Sequence, residues 1–163
     1  MNGRTTAVDD PTREGRNGRT YLSACLDSHV PLDLVIFMLG TNDLKAKYLP
    51  SPEVICQRMR DLVKITKALC SEYSPNGTKI LVMVPAIPKR HAIYEDYHYD
   101  SLEPFARELV TLYETMSRQE EVYFLDASKH LESSELDGAH FEASVHLNFG
   151  EVVFNKMNDI FNN

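Results

Sequence analysis

The stretch DLVIFMLGTND, residues 33 to 43, constrains the fold more than any other part of the chain. Leu34 to Leu39 run without a charge and are rich in Val, Ile and Phe. Such a run fits a strand over 33–39 that is covered on both faces, as in a parallel sheet. It is too short for a buried helix, and Gly40 stops it. Gly40, Thr41, Asn42 and Asp43 follow at once. All four residue types suit a plain turn. In open parallel sheets, however, ligands bind outside the carboxyl ends of the strands, so this polar turn also stands where a site belongs.

The rest of the chain alternates in the same way. Residues 1 to 16 are polar and read as a long loop. A helix is predicted over 17–28 with Asn17 as its cap. Ser51-Pro52-Glu53 is a helix start: a capping hydroxyl, Pro at the first position and an acid in the first turn. Ile55, Met59, Leu62 and Leu69 then mark one helical face. A second strand is expected at Lys79 to Val84. Pro85 to Tyr99 reads as a loop over the strand ends, with Ile87, Tyr94, Tyr97 and Tyr99 as lid or pocket residues. A helix opening at Asp100-Ser101 turns Leu102, Phe105, Leu109, Leu112 and Met116 inward. Val122 to Leu125 is a third strand. Phe149, Val153, Met157, Ile160 and Phe161 form the apolar face of a last helix. Helices alternating with short apolar strands define an α/β fold with a parallel sheet.

Length and composition narrow the function. A chain of 163 residues makes one domain with a real core. The net charge of -7 argues against nucleic acid, which needs a basic surface. No apolar stretch approaches the roughly 20 residues that span a bilayer, and the first residues contain no apolar signal segment. Cys25, Cys56 and Cys70 match no metal spacing and read as thiols in helices, which favours a reducing, cytoplasmic setting. No H-x-x-x-H or Cys/His cluster exists, so no metal is expected.

Chemistry concentrates near the C-terminus. In ELDGAHF, Asp137 and His140 stand three apart around Gly138. A carboxylate held this close accepts the Nδ1 proton of the imidazole and leaves Nε2 free as a general base. The plainer alternative is a surface Asp-Gly turn beside an unrelated histidine. His29 reads as a favourable charge at a helix end. His91 and His98 fall in a loop, and His130 and His146 read as structural.

MNGRTT, LGTND after a strand, and DGAHF before a last helix occur in that order. Together they resemble the SGNH hydrolases, also called the GDSL esterase/lipase family, in their arylesterase and acyltransferase branch. The resemblance spans nearly the whole chain. It implies a three-layer α/β/α domain with a flavodoxin-like parallel sheet, acting on a small ester without a cofactor. By resemblance, Gly3 lends its backbone N–H and Asn42 its side-chain amide to an oxyanion hole, and Asp137 and His140 are the last two triad members. Asn suits this role because its amide donates without adding a charge.

The pattern departs from the family in one respect. The family's Gly-Asp-Ser block, which carries the nucleophile, does not occur in this sequence, and neither does G-x-S-x-G. Ser28, in LDSH, is the one serine flanked by Asp and His, but it belongs to a helix end. The expectation is a single domain over 1–163 that lacks the family's first strand, first helix and second strand. Residues 34 to 39 then form an apolar sheet edge, which favours self-association or a chain that supplies the missing strand. Three readings stay open: an ester hydrolase or acyl transferase incomplete at its N-terminus, the chain alone being inactive for lack of the nucleophile; a short non-catalytic binding domain; and an unrelated flavodoxin-like domain. The last has no glycine-rich phosphate loop after a strand.

Overall fold

The computed structural model describes residues 2–48, 50–74, 76–90 and 99–162, with the side chains of 99–101 left aside. Three parallel strands form the sheet: β1, Leu34–Phe37; β2, Lys79–Val84; and β3, Tyr123–Asp126, in the order β1-β2-β3. Leu34 pairs with Lys79 and Phe37 with Val82, while Leu81 pairs with Tyr123 and Val84 with Asp126. The helices are α1, Gly18–Asp27; α2, Pro52–Cys70; α3, Tyr99–Gln119; and α4, Ala143–Asn162. The α/β/α architecture and the parallel sheet agree with the sequence.

Side-chain alternation divides the core into two layers. Phe37, Ile80, Val82 and Val84 point to one face and pack with Leu22 and Leu26 of α1, Ile55, Met59 and Leu62 of α2, and Leu102, Leu109 and Met116 of α3. Leu81 and Met83 point to the other face, where they meet Ile160, Phe149 and Val153 of α4. Each fully buried aliphatic contributes about 1.5–3 kcal/mol against exposure. Because α2 and α3 are the crossovers between successive parallel strands, both lie on one face. Helix α4 covers the other.

Several boundaries differ from expectation. Asn17 does cap α1, its side chain accepting from the Thr20 N–H, but the helix ends at Asp27 with Ser28 as its C-cap. Ser51 precedes α2 without a side-chain capping bond, and its hydroxyl donates to Glu53 at 2.5 Å. Helix α3 starts at Tyr99, within the expected loop. Residues 91–98, which include His91, Tyr94, Tyr97 and His98, lie outside the described residues. Ile87 packs on the main core. Phe161 of α4 is 48% exposed and not part of the core. Strand β1 is shorter than 33–39 and covered less evenly than its composition implies, with Ile36 38% exposed. The reason is its place at an edge; β2, in the centre, carries the fully buried run.

The carboxyl end of β1 is fixed from below. Tyr113 of α3 is fully buried and donates its hydroxyl to the Leu39 carbonyl at 3.2 Å. Gly40 follows with φ +132°, and a Cβ there would stand 3.3 Å from the Tyr113 oxygen. Both the backbone angle and the space call for glycine. The chain then enters a short 3-10 turn, Thr41–Leu44, at the rim of the sheet.

Candidate active site

The 3-10 turn holds Asn42 over the rim. Its Nδ2 donates to the Arg4 carbonyl at 3.2 Å, so one amide hydrogen anchors the side chain. Asp43, the next residue, is fully buried and binds the N-terminal segment: it accepts the Thr6 N–H at 2.9 Å and the Thr6 hydroxyl at 2.5 Å. Burial pushes the Asp43 carboxyl above its ordinary range, against the pull of the Thr6 hydrogen bonds and of Arg58, 3.6 Å away. These bonds set the 2–6 segment beside the 40–44 turn.

Gly3 lies on that segment with φ +72°, and a Cβ there would come 2.8 Å from Arg16 Nε. Arg16 is held in turn by Asp10 at 2.6 Å. The Asp10 side chain, 1% exposed, also receives Lys47 at 3.0 Å and Tyr48 at 3.2 Å. Hydrogen bonds from Thr12 first, then from Arg16 and Lys47, hold the Asp10 carboxyl well below the usual range. Within the expected loop of residues 1 to 16, the described residues from Asn2 on thus form a hydrogen-bonded pad, closed by the bridge between Thr5 and Asn17.

The third contribution comes from the turn before α4. Asp137 Oδ1 accepts the backbone N–H groups of Ala139 and His140, each at 2.9 Å. Asp137 Oδ2 meets His140 Nδ1 at 2.6 Å. An ionised carboxylate only accepts, so Nδ1 carries the proton of this contact. The N–H groups of His140 and Ala139, and then the imidazole itself, lower the Asp137 carboxyl to about 2. Ser134 and Lys89 secure the turn: Ser134 N–H donates to the His140 carbonyl at 2.6 Å, and Lys89 N–H to the Gly138 carbonyl at 2.7 Å.

Gly3, Asn42 and His140 line one cavity of about 400 Å³, together with Met38, Thr41, Pro85 and Phe141. Asp137 stands behind His140. The structure therefore brings together all four residues singled out from the motifs. It does not bring in Ser28, whose hydroxyl donates to the Ala24 carbonyl and which is absent from the cavity lining. Among the described residues, no serine lines the cavity and no group of three or more His, Cys, Asp or Glu converges to hold a metal. His29 ends α1 as expected, its Nδ1 2.7 Å from the Cys25 carbonyl oxygen. His146 stacks edge-on against Phe141 beside the cavity. Sequence reading missed Asp43 and Thr6, which meet across 37 residues, and the Asp10–Arg16 pair, whose two charges look like ordinary surface residues of a polar segment.

An imidazole and an amide thus share one cavity at the carboxyl ends of a parallel sheet, and the family match and the similar structures below place the chain among esterase-type hydrolases. The chain belongs to the GDSL-like lipase/acylhydrolase family, which matches residues 1–149. Among solved structures it is similar to Est24, a carbohydrate acetylesterase from Sinorhizobium meliloti, at 30% identity and TM-score 0.90, covering 99% of this chain and 76% of that one. It is similar to the inhibitor-bound aryl esterase of M. smegmatis at 32% identity and TM-score 0.88, covering 98% and 75%. A second Sinorhizobium meliloti carbohydrate acetylesterase family member gives 25% identity, TM-score 0.88, and 99% and 78% coverage. A comparison with curated proteins finds no match.

Proposed function

We propose that this protein hydrolyses small carboxylic esters, or transfers their acyl group, by a serine mechanism in which His140 is the general base. The observation that carries the reading is the 2.6 Å contact between His140 Nδ1 and Asp137 at the rim of the cavity that Asn42 and Gly3 share. A serine hydroxyl attacks the ester carbonyl and gives its proton to His140 Nε2. The carbonyl oxygen becomes an oxyanion, received by the Gly3 N–H and the second hydrogen of Asn42 Nδ2. The tetrahedral species collapses, and the leaving alcohol takes the proton back from His140. Water or a second alcohol then repeats the sequence on the acyl-serine. Asp137 stays ionised throughout and holds the imidazole in one tautomer.

The nucleophile is the part this reading supplies from outside: no serine lines the cavity among the described residues, and an additional segment brings it. The acetyl and aryl ester activities named for the similar structures suit a cavity of this size. Three free cysteines accord with a reducing, cytoplasmic setting. The same lack of a lining serine favours a second reading, a binding domain that does no acyl transfer.

Asn42→Ala separates the two. In the chain joined to a serine-bearing segment, p-nitrophenyl acetate turnover should fall on the order of 10²–10³-fold in kcat, with KM little changed. If kcat holds and only thermal stability drops, Asn42 is a turn residue and the acyl-transfer reading fails.

A further inference from the structure

We infer that the cavity takes esters carrying a carboxylate two or three atoms away from the ester carbonyl, and that Arg16 is the residue that selects them. This deepens the ester-hydrolase reading and rests on it for the position of the carbonyl. Two cations, Arg16 and Lys45, line the cavity, and among the described residues no carboxylate does. The chain as a whole carries a net charge of -7, so the balance inside the cavity is opposite to that of the protein. A local excess of one sign in a cleft draws in ligands of the other.

Asp10 holds Arg16 without using it up. Asp10 Oδ1 is filled by Thr12, whose N–H donates at 2.9 Å and whose hydroxyl donates at 2.6 Å. Oδ2 accepts Arg16 Nη1 at 2.6 Å together with Lys47 and Tyr48. Two cations therefore share one carboxylate, and the cluster keeps one positive charge in surplus. Arg16 spends one of its five N–H donors on Asp10. Its Nε is buried without a hydrogen-bond partner, and no other hydrogen bond to the guanidinium occurs among the described residues. The side chain is 18% exposed, so it can offer an N–H to a ligand while Asp10 fixes its place. A single surplus charge suits a carboxylate and leaves a phosphate dianion half neutralised.

Gly3 sets where that charge lies. A Cβ on residue 3 would stand 2.8 Å from Arg16 Nε and 3.0 Å from its Cζ. Because residue 3 is glycine, the guanidinium packs against the residue whose N–H is aimed at the oxyanion. Ordinary bond lengths and one hydrogen bond put Arg16 Cζ within about 9 Å of the ester carbonyl oxygen. A charge-assisted Arg–carboxylate contact takes up about 4 Å of this between the two carbons. What is left spans two or three atoms. The carboxylate can stand on the acyl side, as in a half-ester of a dicarboxylic acid, or on the alcohol side, as in an acylated hydroxy acid. Its chemistry toward Arg16 is the same in both.

The test is binding to the full chain, which needs no nucleophile. Isotope-labelled protein is titrated at low ionic strength with monomethyl succinate against dimethyl succinate, and with acetoxyacetate against its methyl ester, following the amides of Gly3 and Asn42 by NMR. In at least one pair the anion should bind about fivefold or more tighter than the neutral ester. The pair that shows it tells the acyl side from the alcohol side. The Arg16 Nε–H signal should move with the anion, and added salt should shrink the margin. Arg16→Gln should bring the ratio near one. Arg19→Gln, at a side chain 57% exposed beside Asp61, should leave it as it was. If Arg16→Gln does not fold, the two comparisons in the parent chain decide. Equal binding of anion and ester in both pairs, or a margin that survives Arg16→Gln in a folded variant, would overturn the inference. A preference for the anion with no p-nitrophenyl acetate turnover, once a serine-bearing segment is joined, counts only against the proposed function; turnover with no preference counts only against Arg16.

Discussion

Replacing Asp43 by alanine should separate the N-terminal pad from the site. Asp43 is fully buried and accepts two hydrogen bonds from Thr6, itself fully buried. Without the carboxylate, the Thr6 N–H loses its partner where water does not reach. One orphaned buried donor costs about 1–3 kcal/mol. The Thr6 hydroxyl can rotate toward other acceptors, so it adds less. Arg58 loses its nearest anion, 3.6 Å away. Against this, the variant no longer buries a carboxyl that burial has pushed up, which returns part of the cost. The net expectation is a loss of about 2–3 kcal/mol, a large share of the 5–15 kcal/mol typical of a domain. Urea unfolding at neutral pH measures it as a lower midpoint with an unchanged slope. Amide exchange should locate it, with residues 4 to 6 exchanging faster than in the parent protein. A loss under 0.5 kcal/mol, or one that leaves those amides untouched, would show that the pad is held by something other than Asp43.

Two further outcomes follow from the same geometry. Gly3→Ala places a Cβ against Arg16 at a positive φ, so it should lower stability by about 1–2 kcal/mol, and Arg16→Ala in the same chain should recover part of this in thermal melts. The Asp137 carboxyl sits near 2 in the folded state against about 3.9 unfolded. Its contribution is therefore complete above pH 4 and disappears as pH falls from about 4 to about 2; comparing stability across that window with Asp137→Asn should show a shallower decline in the variant, and identical slopes would refute the assignment.

Local signals carried much of this fold. The uncharged run before Gly40 placed β1 to within two residues, because a parallel strand needs little beyond apolar length. Asn17 and the DGAH turn were equally legible, since a cap and a three-residue Asp–His contact are closed within one turn of chain. What escaped was set by partners far away in sequence. Thr6 and Asp43 meet across 37 residues, and nothing in either neighbourhood announces the contact. Ser51 looked like a cap, yet its side chain makes no capping bond and its hydroxyl donates to Glu53, two residues on. Phe161 fits an apolar helical face by composition, but α4 has two such faces and only one meets the sheet. Gly3 and Asn42 became meaningful only as a pair with DGAH, because an amide and a glycine alone are ordinary turn residues.

The central claim is that His140, oriented by Asp137, acts as the base of an acyl-transfer site. Its most direct test is the rate of p-nitrophenyl acetate hydrolysis by the chain joined covalently to a serine-bearing strand–helix segment, measured beside His140→Ala in the same background. The account predicts that the variant loses at least ~10³-fold in kcat while its fold and melting temperature stay the same. Equal rates in the two proteins would contradict it.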